Sequence, residues 1–353
     1  MSFRKHKLLV LLALVLIVFV SACSKEATPD SKNTDQVKLT TDDNKVYIGF
    51  VLDTLQQERW YKDKELFEEK VTELGGNVKT LAANGSESVQ LAQAKLLIEE
   101  GVDVLVVVPY NAEAAAEIVE LAHKANTKVI SYDRLIKNAD VDYYISFDNV
   151  KVGELQAKEI LKQQESGNFA YIGGAETDNN AVLFREGAMK VLQPLIDQGK
   201  INLVYDKYTD NWDPAVAEEN MLEALKQTSG KIDAVISAND GNAGGVVNAL
   251  ATKGLDGKVP VTGQDAELDA VKRIVAGKQT MTVYKSINLL ALNAAEMAMK
   301  VAQDKKIETN NAVNNGKIDV PSYLLEPVTV TKENIDSTII KDNYLTKEEV
   351  YGK

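Results

Sequence analysis

The chain carries one cysteine and two histidines in 353 residues. A single cysteine excludes a disulfide within the chain. So few thiols and imidazoles leave Cys-rich and His-rich metal sites without ligands. His6 falls in an N-terminal leader and His123 in the helical stretch Leu121-Ala122-His123-Lys124, so serine and cysteine nucleophile triads lack a base. Basic charge is also short: 40 Lys and Arg stand against 52 Asp and Glu, a formal charge of −12. Such a balance opposes nucleic acid and is repelled by anionic lipid, and it says little about a neutral ligand. Gly173-Gly174 and Gly244-Gly245 do not run into the Gly-Lys-Ser/Thr ending of a phosphate loop and read as tight turns. Asp210-Asn211-Trp212-Asp213 offers oxygens without the spacing of a calcium loop. No metal and no cofactor is expected.

Tryptophan is scarce as well, and its placement is informative. Trp60 sits in Glu58-Arg59-Trp60 and Trp212 in Asp210-Asn211-Trp212-Asp213, whereas a core tryptophan normally lies inside an apolar run. An aromatic face among carboxylates, amides and a guanidinium suits a ligand with apolar C–H faces and a hydroxyl rim. A sugar has that surface.

The N-terminus indicates the compartment. Arg4, Lys5 and Lys7 precede an apolar run over 8–20, too short for a span of roughly 20 residues, and Val20-Ser21-Ala22-Cys23 follows. This is a cleaved secretion signal. It resembles a bacterial lipoprotein leader over 1–22, which implies that Cys23 becomes the lipidated first residue. The stretch 23–44 is rich in Ser, Thr, Asp, Asn and Lys and reads as a flexible tether.

From residue 45 the chain alternates short β-branched runs with amphipathic stretches. Strands are expected over 46–52, 78–82, 104–108, 128–132 and 143–147, and again over 169–172, 202–205, 233–237, 259–262 and 280–284. Helical patterns lie between them, the first two stopping at Gly75-Gly76 and at Gly101. Continuous apolar strands alternating with helices predict an α/β fold of two doubly wound parallel-sheet domains. Polar side chains gather where these strands end: Asp53, Asp133-Arg134, Asp178-Asn179-Asn180, Asn239-Asp240, Gln264-Asp265 and Lys285. Ligands of open α/β sheets bind beyond the carboxyl ends of the strands, so two facing domains enclose a polar cleft. Asp133 and Asp265 each end a strand, and a buried carboxylate there needs partners. Arg134 is adjacent to the first, and an Asp–Arg pair that only staples the loop is the competing reading.

The same residues carry a resemblance. Glu58-Arg59-Trp60, Ala83-Asn84-Gly85, Ser131-Tyr132-Asp133-Arg134, Tyr144-Ile145-Ser146-Phe147-Asp148-Asn149, Asp178-Asn179-Asn180, Ser237-Ala238-Asn239-Asp240, Gly263-Gln264-Asp265 and Met281-Thr282-Val283-Tyr284-Lys285 resemble, in this order, the ribose-type periplasmic sugar-binding proteins. The resemblance implies the type I periplasmic binding protein fold with a three-segment hinge, crossing near 148–152, 285–287 and 318–323. The N-terminal domain is then 45–150 with 287–320, and the C-terminal domain 151–286 with 321–345. It implies a sugar site in which Trp60 and Trp212 stack on opposite faces of the ring. Arg59, Asp133 and Arg134 supply hydrogen bonds from one domain, Asn180, Asn239 and Asp265 from the other, and Lys285 acts at the hinge edge. Asn84, Asn179 and Arg185 are weaker candidates. The implied activity is not enzymatic: a monomer, anchored to the outer face of the cell membrane through Cys23, captures D-xylose or a closely similar pentose. It then delivers the sugar to an ABC permease whose ATPase is a separate subunit. A sensor presenting the sugar to a membrane kinase shares the whole site, and a surface sugar-processing enzyme shares its aromatics.

Overall fold

The computed structural model describes residues 38–39 and 44–352. The expected leader, Cys23 and most of the expected tether lie outside the described residues. The first half of the chain runs β1 (Tyr47–Leu52), α1 (Glu58–Glu73), β2 (Asn77–Ala82), α2 (Glu87–Glu99), β3 (Val104–Val107), α3 (Ala116–Lys124), β4 (Lys128–Tyr132) and β5 (Tyr143–Phe147). β1 and β3 are buried at every position, and their alternate side chains enter different layers, as expected for strands covered on both faces. Ile48, Phe50 and Val106 pack with Phe67 and Val71 of α1. Tyr47, Val51, Leu105 and Val107 pack with Leu97 of α2 and Ile118 and Ala122 of α3.

The second half repeats the plan with α4 (Asn149–Gln163), β6 (Gly167–Ile172), α5 (Asn179–Asp197), β7 (Ile201–Lys207), α6 (Pro214–Gln227), β8 (Ala234–Ser237), α7 (Asp240–Ala251), α8 (Leu268–Val275) and β9 (Thr282–Tyr284). β6 pairs in parallel with β7 on one side and β8 on the other. The strand expected over 259–262 is reduced to a single parallel bridge, Val261 to Val235. Past it, the Asp265 amide donates to Val283 at 2.9 Å and the Val283 amide to Gly263 at 3.1 Å, which ties β9 to this layer.

The chain then returns to the first half. α9 (Ile287–Ala302) lays Leu290, Ala291 and Ala294 on the Phe50–Phe67 cluster. β10 (Asn311–Asn314) and β11 (Asp319–Leu325) complete a seven-stranded sheet of order β10-β11-β5-β4-β3-β1-β2, and β12 (Val328–Val330) pairs antiparallel with β9. The short α10 (Lys347–Tyr351) ends the described chain. The third crossing therefore differs from the expectation. Ser322–Leu325 pairs in parallel with Tyr144–Phe147, so β11 belongs to the first sheet along its whole length and the chain crosses at Glu326-Pro327, not over 318–323. The other crossings are at Asp148, which caps α4 through the Lys151 amide at 2.9 Å, and at Lys285-Ser286, where Ser286 caps α9.

Both sheets change direction of strand order at β1/β3 and at β6/β8. A crevice opens at such a point, and it is where ligands bind in open α/β sheets. In the second half α4 and α5 approach backbone to backbone. A Cβ on Gly153 would overlap the Phe184 carbonyl, and one on Gly187 would overlap the Val150 carbonyl. Gly187→Ala gains up to about 1 kcal/mol of helix propensity and loses about 1–3 kcal/mol to overpacking. It should therefore lower the thermal midpoint by several degrees, as differential scanning calorimetry will read.

Candidate functional site: a charged cleft between the two sheets

The loops after β1, β4, β6, β7 and β8 converge on one narrow cavity. Arg59, Trp60, Asp133, Arg134, Asn180, Trp212, Asn239, Asp265 and Lys285 all line it. The nine residues expected from the sequence thus come together, from segments more than 200 positions apart. Gln57, Asp178, Phe184 and Gln264 complete the wall. Phe184 lies one helical turn beyond Asn180, a spacing that puts both on one face, and Gln57 lies one turn before Trp60. Asn84 lines an adjoining cavity with Tyr110 and Asn211. Arg185 is occupied by Asp206, its Nε 3.1 Å from each carboxylate oxygen, and stands outside the cleft.

Two ionic groups organise the cavity. In the first, Arg59 reaches Asp133 at 2.9 Å, Asp265 at 3.2 Å and Asp63 at 3.3 Å, while the Lys285 ammonium lies 3.2 Å from Asp265 and 3.8 Å from Asp133. Asn180 donates to Asp133 at 3.0 Å. In the second, Arg134 holds Asp53 at 2.6 Å and Asp178 at 2.7 Å. Asp133 and Arg134, neighbours in sequence, therefore serve different partners. Asp133 has φ 58°, and this left-handed turn sends the two side chains apart. Asp265 at φ 96° and Trp212 at φ 56° share that conformation, which clusters at functional sites because its cost of about 1–3 kcal/mol must be offset by surrounding packing.

The tryptophans are enclosed, with Trp60 1 % and Trp212 7 % exposed. The Trp60 indole N–H donates to Gln57 at 2.9 Å, and the guanidinium carbons of Arg59 and Arg134 lie 4.3 and 5.3 Å from its ring centroid. Cation–π attraction contributes there. The Trp212 N–H donates to Asp178 at 3.1 Å. Gln264 donates to Asp265 at 3.0 Å, while its buried Oε1 has no hydrogen-bond partner. It is an acceptor placed at the cavity.

Burial raises the carboxyls, and neighbouring cations decide the outcome. Burial pushes Asp133 up, but Arg59, Lys285 and Arg134 outweigh it and hold it at about 2. Burial raises Asp63 to about 6 against the opposition of Arg59. Behind Asp265, burial raises Asp240 to about 7, opposed by the Thr282 hydroxyl and Arg273. Burial and then Asp240 and Asp265 raise Glu267 to about 8. Among the described residues no group of three or more His, Cys, Asp and Glu is arranged to hold a metal ion.

Two doubly wound halves, three crossing segments and a polar cavity at both sheet switch points define a type I periplasmic binding protein fold. A family model described as "Periplasmic binding protein domain" matches residues 48–306. The chain belongs to the periplasmic binding protein family, whose work is binding and delivery, not catalysis. It is 49 % identical over 304 residues to the "D-xylose-binding periplasmic protein" of Haemophilus influenzae, covering 86 % of this chain and 92 % of the relative. It is 48 % identical over 305 residues to the protein of that description from Escherichia coli, with the same coverage. Among solved structures, a carbohydrate transporter solute binding protein from Chloroflexus aurantiacus in complex with D-glucose superposes with TM-score 0.80 at 34 % identity, covering 86 % of this chain and 98 % of the other.

The raised carboxyls set a pH dependence. An acid whose folded pKa exceeds its unfolded value carries a penalty that grows as pH rises from the unfolded to the folded pKa. For Asp240 and Glu267 that window runs from the ordinary 3.8 and 4.5 to about 7 and about 8. Asp133 acts oppositely: its contribution, present above 3.8, is lost toward about 2. The thermal midpoint should accordingly climb as pH is lowered from 8 to 6 and fall again below 4. Glu267→Gln should flatten the upper limb, as a pH series of thermal unfolding curves will reveal.

Proposed function

We propose that this protein captures D-xylose, or a closely similar pentose, outside the cytoplasmic membrane, closes its two halves over the sugar and delivers it to an ABC importer. The observation that carries this reading is the convergence of the nine expected residues on one cavity from both sheets, in a chain about half identical to two proteins named for D-xylose binding.

A sugar hydroxyl both donates and accepts. Asp133 and Asp265 are fixed acceptors and Arg59, Arg134 and Lys285 fixed donors. Because the charged groups already hold one another, each presents its remaining hydrogen-bonding capacity in one orientation. Charged hydrogen bonds contribute about 1.5–3 kcal/mol each, and an unmatched one leaves a buried charge unsatisfied. That makes recognition strict about hydroxyl stereochemistry. Trp60 from the first half and Trp212 from the second cover the apolar faces of the ring, adding roughly 25 cal/mol per Å2 buried. Rejection of a hexose is then steric, through the missing room for a hydroxymethyl group. Closure follows because the ligand touches both halves and so stabilises the arrangement in which they meet.

Cys23 carries the lipid that keeps the monomeric protein at the outer membrane face in this reading. Isothermal titration should give 1:1 binding of D-xylose, with affinity falling by about a hundredfold or more in Trp60→Ala and in Asp265→Ala. Unchanged affinity in both would refute the site. Cys23→Ser should move the protein from the membrane pellet to the soluble fraction without changing that affinity.

A further inference from the structure

Gly173-Gly174 reads from the sequence as a tight turn, yet Gly174 is not among the residues with positive φ. Its lack of a side chain serves close approach. A Cβ there would overlap Cη2, Cζ2 and Cζ3 of Trp212, the six-membered ring of the indole, and the Gly174 carbonyl accepts from the Thr209 amide at 2.8 Å. Asp178 fixes the other end of the same indole, at its five-membered ring. One of its oxygens caps α5 through the Asn180 amide at 2.9 Å; the other takes the Trp212 N–H at 3.1 Å and the Arg134 Nε at 2.7 Å. Phe184 meets the indole edge-on, with centroids 6.3 Å apart at 67°. The backbone beneath is unusual too: Asn211 and Trp212 are left-handed in succession, at φ 55° and 56°.

We infer that Gly174 and Asp178 form a slot that sets the plane of the Trp212 ring, and that they are positioning residues for sugar recognition. Gly174 lets the indole lie flat against the strand end. Asp178 locks its rotation and links it, through Arg134, to the opposite half. An added methyl must drive the ring away from Gly174, because backbone on that side cannot yield as a flexible side chain does. A displaced ring reshapes the cavity that it lines with Arg134 and Asn180. The slot thus determines how much room the sugar has as well as which face it meets.

This inference rests on the sugar reading of the cleft, and its test separates the two. Gly174→Ala should bind D-xylose about tenfold or more weakly by calorimetry, with an unchanged far-ultraviolet circular dichroism spectrum. In a Trp60→Phe background, where Trp212 is the only fluorophore among the tryptophans, Gly174→Ala should shift the emission without sugar. In a Trp212→Phe background, which removes the overlapping atoms, adding Gly174→Ala should cost less than about twofold. An unshifted emission, or an undiminished loss in the Trp212→Phe background, would overturn the slot. If the unmutated protein binds no pentose, the sugar reading fails, and the emission measurement alone then decides the slot.

Discussion

Three buried carboxylates, Asp63, Asp133 and Asp265, converge on the Arg59 guanidinium, and the remainder of the cleft is arranged around satisfying them. A buried ion without a partner costs several kcal/mol. Arg59 stands on the first helix of the half that also holds Asp63 and Asp133, and Asp265 belongs to the other half, so the Arg59–Asp265 pair bridges the cleft. Lys285, shared between Asp133 and Asp265, lies on a crossing segment. The charge balance of the site and the geometry of the hinge are consequently one constraint. Any change in the angle between the halves alters the pairing of Arg59.

The second ionic group repeats the principle further along the cleft. Arg134 from the first half meets Asp178 from the second, and Asp178 holds Trp212. A network whose members satisfy one another is rigid. The cost of that rigidity is visible in the backbone, where Asp133, Asp265 and Trp212 adopt left-handed conformations that packing must sustain. Sheet topology supplies the remaining condition. The strand order reverses next to β1 and next to β6, and the crevices left there are where side chains following the strands can meet.

Much of this is legible in the sequence. Apolar runs such as Val104–Val107 announce strands covered on both faces, and the polar residues at strand ends, with the two tryptophans, come together on one cleft. The failures are as instructive. The third crossing was placed too early because the ladder that holds β11 joins Ser322 to Tyr144, a partner far away in the chain that no local pattern betrays. The competing reading, an Asp133–Arg134 staple, is set aside because the two residues hold different partners. Gly174 looked like a turn glycine, whereas its role is defined by an indole that arrives from Trp212. Asp178 was visible as one polar residue among three, with nothing to mark it as the carboxylate shared by an arginine and a tryptophan.

The amino-acid sequence by itself determined the α/β alternation, the two halves, the strand-end positions of the polar residues and the neutral, hydroxyl-rich character of the expected ligand. Each of these depends on local periodicity or on residue chemistry, which need no partner to be read. Which carboxylate faces which cation, where the chain makes its third crossing, and how the Trp212 ring is turned were decided only in the folded molecule. They depend on contacts between residues tens to hundreds of positions apart, and on backbone conformations that the surrounding packing imposes.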